Sequence, residues 1–252
     1  MNYNVVLMLL ISTNFLLSVN AQSQNFTDLF LVGAATAPGW DNDNNNPPLV
    51  RDPQNTEVFT YTGRFLDDQF KVLEQKGAWQ PQWGLDPNGN LASNEDLGAD
   101  PGVFDVPNGE GYYTITLDLA NLNYSINSFD ESSAASYSTI GLIGSATTGD
   151  NSGWNQDIDL TQSAFDPHLW YINDISLFDG DAKFRADNAW NTNWGSDTEL
   201  TGFGTLDGLE IPVTSSSYDI WFNDLDGSYV FIDLQNNPDF TLASNGVTCL
   251  CP

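Results

Sequence analysis

The sequence predicts an all-β protein of two tandem antiparallel β-sandwiches, and three observations carry that prediction. Apolar runs of four to eight residues alternate with clusters of Gly, Asn, Asp and Pro along the 252-residue chain, the pattern of short strands and tight turns. No stretch shows a convincing apolar period of 3.6 residues, so substantial helix is not expected. The chain also repeats itself: Leu31-Val32-Gly33-Ala34-Ala35-Thr36 matches Leu142-Ile143-Gly144-Ser145-Ala146-Thr147, 111 residues later. Fixed-period similarity of this kind sets the architecture before any single motif does.

The repeat continues in order. Gly39-Trp40 matches Gly153-Trp154, Phe70-Lys71-Val72 matches Ala182-Lys183-Phe184, and Ala78-Trp79-Gln80-Pro81-Gln82-Trp83-Gly84 matches Ala189-Trp190-Asn191-Thr192-Asn193-Trp194-Gly195. Six of the eight tryptophans therefore fall into pairs. Tyr112-Tyr113-Thr114-Ile115 resembles Tyr218-Asp219-Ile220, and Tyr124-Ser125-Ile126 resembles Tyr229-Val230-Phe231. Two domains are expected, 26–127 and 137–235, each of about seven or eight strands. A linker over 128–136 joins them, its Ser132-Ser133-Ala134-Ala135-Ser136 stretch having linker composition. The tail 236–252 is too short for a further domain and is consistent with a chain cut from a longer one.

Residues 1–21 read as a signal peptide, with an apolar run from Val5 to Leu17 and a small-residue end at Val19-Asn20-Ala21. The strongly apolar part is too short for a membrane span, and no Cys follows it to take a lipid anchor. The protein is thus expected to be exported, to the outer surface or the medium. Its two cysteines, Cys249 and Cys251, lie too close together and too near the end to staple a fold.

Charge excludes whole classes of partner. Six Lys+Arg stand against 34 Asp+Glu, a formal net charge of -28, so no basic surface exists for nucleic acid. A neutral ligand such as a sugar meets no comparable repulsion. With one His, His168, a His-based metal site or a Ser-His-Asp triad is not expected; that residue follows Asp166-Pro167 and reads as a turn residue.

The repeated set is the candidate site: a Gly-Trp after the first strand, a Lys on a central strand, and a Trp-x-x-x-Trp-Gly beyond it. An indole face stacks on the C–H side of a sugar ring, and a Lys donates to its hydroxyls. Trp40 and Trp154, in loops rich in Gly, Asp and Asn, are the better candidates for exposure. A repeated Trp in a β-sandwich is also a core landmark, a reading that suits Trp79 and Trp190 better than Trp83 and Trp194.

The order of these motifs, from Leu31 to Trp40 and Phe70 to Trp83, then from Ala182 to Trp194-Gly195 and Leu206-Asp207-Gly208, resembles the SusE/SusF family of starch-binding outer-membrane proteins of Bacteroidetes. The resemblance implies immunoglobulin-like sandwiches that hold α-glucan without cleaving it, beside a TonB-dependent transporter and its glycan-binding lipoprotein partner. Carried over by position, the carbohydrate-binding residues are Trp40, Lys71 and Trp83, or Trp79 in its place, in the first domain and Trp154, Lys183 and Trp194, or Trp190 in its place, in the second. No cofactor is implied.

Three other readings compete. A glycoside hydrolase needs only two carboxylates, yet the repeat keeps Trp and Lys in register and few acids; Asp118 and Asp224 are one equivalent pair, both suited to strand-end turns. Calcium is conceivable at Asp41-Asn42-Asp43-Asn44-Asn45 with Asp52, although Asn46 stands where a calcium loop places Gly. Finally, tandem sandwiches with all their tryptophans in the core would be spacers or adhesins.

Overall fold

The computed structural model describes residues 28–235; the expected signal peptide, the tail 236–252 and both cysteines lie outside them. In the N-terminal half the strands are β1 (Leu29–Val32), β2 (Pro48–Arg51), β3 (Val58–Phe65), β4 (Gln69–Leu73), β5 (Gln82–Leu85), β6 (Leu91–Ser93), β7 (Phe104–Asp105), β8 (Gly111–Asp118) and β9 (Asn123–Ser128), with one short helix, α1 (Asn94–Leu97). The C-terminal half holds β10 (Ile140–Ile143), β11 (Ile158–Asp159), β12 (Thr161–Gln162), β13 (Leu169–Leu177), β14 (Gly180–Ala186), β15 (Asn193–Gly195), β16 (Thr201–Phe203), β17 (Thr205–Leu206), β18 (Ile211–Val213), β19 (Ser216–Asn223) and β20 (Ser228–Asp233). The strands pair antiparallel throughout, as an all-β sandwich requires. Among the described residues no helix is long and apolar enough to cross a membrane.

Strand order repeats between the halves. The layer β4-β1 with β5 and β6 matches β14-β10 with β15 and β17, and β3-β8-β9 matches β13-β19-β20. One difference is at β2, which is continuous and links both layers into a single bent sheet; its counterpart breaks at Leu160 into β11, on β10, and β12, on β13. A second difference is β16, an additional edge strand on β20.

Register refines the sequence alignment. Tyr113 donates its hydroxyl to Gly109 O at 2.7 Å and Tyr218 donates to Thr214 O at 2.7 Å, each four residues back. Tyr113, not Tyr112, is therefore the partner of Tyr218, and Asn223 occupies the position of Asp118. The Asp118/Asp224 equivalence consequently fails. Asp118 caps its own turn through Asn121 N at 3.0 Å, whereas Asp224 accepts from Trp170 Nε1 at 2.7 Å and lies 2.6 Å from His168 Nδ1. His168 thus belongs to a buried polar contact rather than a plain turn. Burial pushes the Asp224 carboxyl up to about 6, with the Trp170 and His168 bonds opposing the rise.

The halves pack closely on each other. Alternate residues of β19 and β20 point to opposite sides: Tyr218, Ile220, Phe222, Tyr229 and Phe231 fill the C-terminal core, while Trp221, Val230 and Ile232, with Leu169, join the core of the N-terminal half. A sheet buried on both faces reads as continuous apolar sequence, which is why β19 and β20 showed no alternation. Each large side chain removed from water contributes roughly 1.5–3 kcal/mol as an upper bound. Polar groups fix the seam. Buried Asp166 accepts from Arg64 N (2.9 Å), Tyr112 OH (3.1 Å) and His168 N (3.0 Å), and Asn223 Nδ2 donates to Thr62 O at 2.6 Å.

Candidate functional site

Two of the repeated glycines explain why each copy presents a Trp at the same place. Gly33 N donates to Gly39 O (2.7 Å) and Gly144 N donates to Gly153 O (3.1 Å), closing equivalent loops after β1 and β10. At Gly153 a Cβ would lie 2.0 Å from Gly144 O, so no side chain fits beside the loop's own backbone. The following Trp is thrown outward. In the N-terminal half Gly77 N donates to Asn42 O (2.8 Å) and ties the Trp40 loop to the β4–β5 connection, which carries Trp79.

Exposure then separates the tryptophans into two kinds. Trp40, Trp79 and Trp190 are 46%, 43% and 47% exposed, and Trp154 is partly exposed. Trp83 and Trp194 are 2% and 5% exposed. They stand opposite Val72 and Phe184 on the core face of β4 and β14, and Trp83 donates its Nε1 to Glu74 Oε1 at 2.7 Å. Of each Trp-x-x-x-Trp, the second ring is core and the first faces water. The Gly that follows it in both copies is a packing requirement: a Cβ at Gly84 or Gly195 would lie 1.9 Å from Gly102 O or Leu209 O, where the next connection crosses the strand.

Around Trp79 the polar groups converge on Asp100. Its Oδ1 accepts from Gln80 Nε2 at 2.7 Å and from Gln82 Nε2 at 3.4 Å. Lys71 sits half-buried nearby; burial lowers its ammonium below the usual value, and the Asp100 charge partly restores it.

The C-terminal site is more closely built. Trp154 ends a 3₁₀ turn, Asn151–Trp154, whose N-terminus Asp150 caps through Ser152 N at 2.8 Å. Its ring lies 6.0 Å from that of Trp190, centroid to centroid, with the planes tilted by 35°. Beneath Trp190 the Arg185 guanidinium stands 4.9 Å from the ring centre, within cation–π range. Asp157 holds that guanidinium by two bonds, from Nε at 2.7 Å and from Nη2. Gly141, opposite Arg185 in the register, leaves the room: a Cβ there would come within 2.6 Å of the Asp157 Cβ. Asn193 Nδ2 donates to Asp207 Oδ1 (2.7 Å) and Trp190 O (3.3 Å), and its Oδ1 is buried without a partner. Lys183 donates to Gly208 O at 2.8 Å and so braces the loop after β17.

Sequence reasoning therefore named the exposed rings but placed Trp83 and Trp194 ahead of Trp79 and Trp190, whereas strand pairing buries the former two; it also missed the supports. Arg185, Asp157, Asn193, Gln82, Asp100 and Asp207 were not singled out. One signal was present: Gln82 and Asn193 hold the same place, immediately before the core Trp of each motif, and each donates to an Asp of the connection that follows.

At the suggested calcium loop the oxygens serve the loop itself. Asp41 Oδ1 accepts from Asp43 N (3.1 Å), Asn46 Nδ2 donates to Leu31 O (2.8 Å), and Asp52 Oδ1 accepts from Gln54 N (2.8 Å) in a separate turn. Among the described residues no group of three or more His, Cys, Asp or Glu is placed to hold a metal ion.

No protein-family model matches the chain, and no curated protein matches it. Among solved structures, the crystal structure of SusF from Bacteroides thetaiotaomicron is similar at a TM-score of 0.33 and 14% identity, over 83% of this chain and 49% of that one. The chain spans about half the length of that structure.

Proposed function

We propose that this chain is an exported, non-catalytic glycan-binding protein that holds neutral polysaccharide on exposed tryptophans, with one platform in each of two sandwich domains joined at 128–136. The observation that carries the reading is the Trp154–Trp190 pair, two indoles 6.0 Å apart, of which Trp190 lies over a buried cation. Adjacent exposed rings are costly to leave in water and suit a ligand with apolar ring faces. A charge of -28 favours an uncharged one. Rings tilted by 35° fit a chain that turns from one sugar to the next, an α-glucan such as starch, better than a flat ribbon.

The carboxylates beside the platforms already have partners: Asp157 has Arg185, Asp207 has Asn193 and Asp100 has two glutamines. That arrangement supports binding over hydrolysis, which needs an acid and a base free to exchange protons. A spacer role would leave the exposed indoles without a reason. By the sequence resemblance, such a protein would work at the outer surface with a TonB-dependent transporter and its glycan-binding lipoprotein.

The test is electrophoresis of the purified chain in native gels containing amylopectin, pullulan, laminarin or xylan, against a gel without glycan. Retardation by amylopectin and pullulan is the expected result. Retardation by laminarin or xylan alone would change the ligand class, and none at all would overturn the reading.

A further inference from the structure

The two halves end their sheets differently. In the C-terminal half β16 lies antiparallel on β20, with Thr201 opposite Val230 and Phe203 opposite Ser228. The connection that supplies it, residues 196–204, is longer than the turn at 86–90 between β5 and β6, so the N-terminal half has no such strand. Among the described residues β9 ends the sheet and pairs with β8 alone.

Among the described residues, the missing strand leaves apolar surface partly uncovered, although the Tyr124 ring meets Phe104 edge-on at 5.2 Å. Tyr124 faces Leu117 and Tyr229 faces Phe222, in the same register. Yet Tyr124 is 36% exposed and Tyr229 is 1% exposed. Leu122, just before the strand, is also exposed. An edge of six residues, Asn123–Ser128, carries no Pro and no charge and pairs with β8 along its whole length without a bulge, so it lacks the devices that normally protect an edge. The strand is neutral while carboxylates flank it: Asp118 opposite Asn123, and Asp130 and Glu131 beyond Ser128.

We propose that β9 is a docking edge that accepts an extended strand from a partner protein, apolar at its centre and basic at its ends, in the position that β16 holds on β20. Backbone hydrogen bonds would supply the pairing, and covered Tyr124 and Ile126 would supply apolar burial. The flanking carboxylates, in a chain of charge -28, select basic residues in that partner and oppose a second copy of this chain.

The experiment uses the full chain and amide hydrogen exchange read by mass spectrometry. The probe is a synthetic peptide with the Leu200–Phe203 sequence between pairs of lysines, and the control carries glutamates instead. The lysine peptide is expected to slow exchange at 123–128 about tenfold in a one-to-one complex, and the glutamate peptide to leave it unchanged. Asn127→Lys is expected to keep the free chain's exchange pattern and to weaken the protection severalfold. Four results would overturn the proposal: exchange at 123–128 already as slow as at 228–233 in the free monomer, slowing only as the chain dimerises, no effect of the lysine peptide, or full protection retained in Asn127→Lys.

Discussion

The pair Phe30 and Leu73 in the N-terminal half and the pair Gly141 and Arg185 in the C-terminal half occupy the same register position on the same two strands. In the first copy both side chains are apolar and buried. Lys76 lies 5.8 Å over the Phe30 ring and reaches across to Asp219 of the other half at 2.9 Å. In the second copy the small Gly admits Asp157, the cation stands under Trp190, and the face carries two tryptophans. One copy thus uses this face to pack against its neighbour, while in the other the face carries exposed indoles, the surface that the proposed glycan would use. The two platforms are accordingly unequal, and changes at matched positions should separate them.

The largest effect is expected from Arg185→Leu, which imports the first copy's residue into the second. Breaking a buried ion pair leaves Asp157 charged and alone, at a cost of about 3–5 kcal/mol. Chemical denaturation should show that loss, and Arg185→Leu combined with Asp157→Leu should regain most of it. In the double variant Trp190 loses the cation beneath its ring, so polysaccharide binding should stay weak although stability returns. Full binding in the double variant would remove Arg185 from the site and leave it a purely structural residue.

How much of this was legible in the sequence follows from where each signal is written. The sandwich and its repeat were legible because turns, periodicity and paired tryptophans are local or nearly so. Exposure of Trp40, Trp79 and Trp190 was only half legible: the Gly-Trp loop pointed outward, but the two tryptophans of each Trp-x-x-x-Trp are four residues apart and of equal parity, and what separates them is that Trp83 and Trp194 lie on β5 and β15 while Trp79 and Trp190 lie in the connections before those strands. The seam between halves was not legible, because Asp166, Thr62 and Asn223 meet through contacts more than 100 residues apart in sequence. Sequence alignment also placed Tyr112 one residue out of register with Tyr218. Two adjacent tyrosines left that choice open until the hydroxyl bond to the residue four back was seen.

A second expected difference concerns pH. The Asp224 carboxyl is raised to about 6 by burial, while that of Asp118, with which the sequence had paired it, is lowered by the side-chain and backbone bonds from Asn121. A raised carboxyl means that the folded chain holds its proton more tightly than the unfolded one. Its contribution is therefore fully present below the ordinary carboxylate value and is lost as pH rises towards 6. Asp224→Asn should remove that loss, stabilising the chain at pH 7 relative to pH 4 by about 2 kcal/mol compared with the parent. Asp118→Ala should act in the opposite sense, costing stability at pH 7 and little at low pH. Denaturation curves at both pH values would check the pair, and identical pH profiles for both variants would break the contrast.

The smallest effects are the most direct comparison of the platforms. Trp190→Ala removes a ring that has a neighbour at 6.0 Å and a cation at 4.9 Å, and with it about 1.4 kcal/mol of binding, a tenfold loss of affinity for amylopectin. Trp40→Ala removes a ring from the copy whose cation, Lys71, is half-buried and lowered by desolvation. A loss of two- to threefold is expected there, measured by titration calorimetry on the same glycan. Equal losses at Trp40 and Trp190 would mean that the N-terminal platform needs no stacked pair. A larger loss at Trp40 would reverse the order of the two sites and return the face of Phe30 and Leu73 to a mere packing detail.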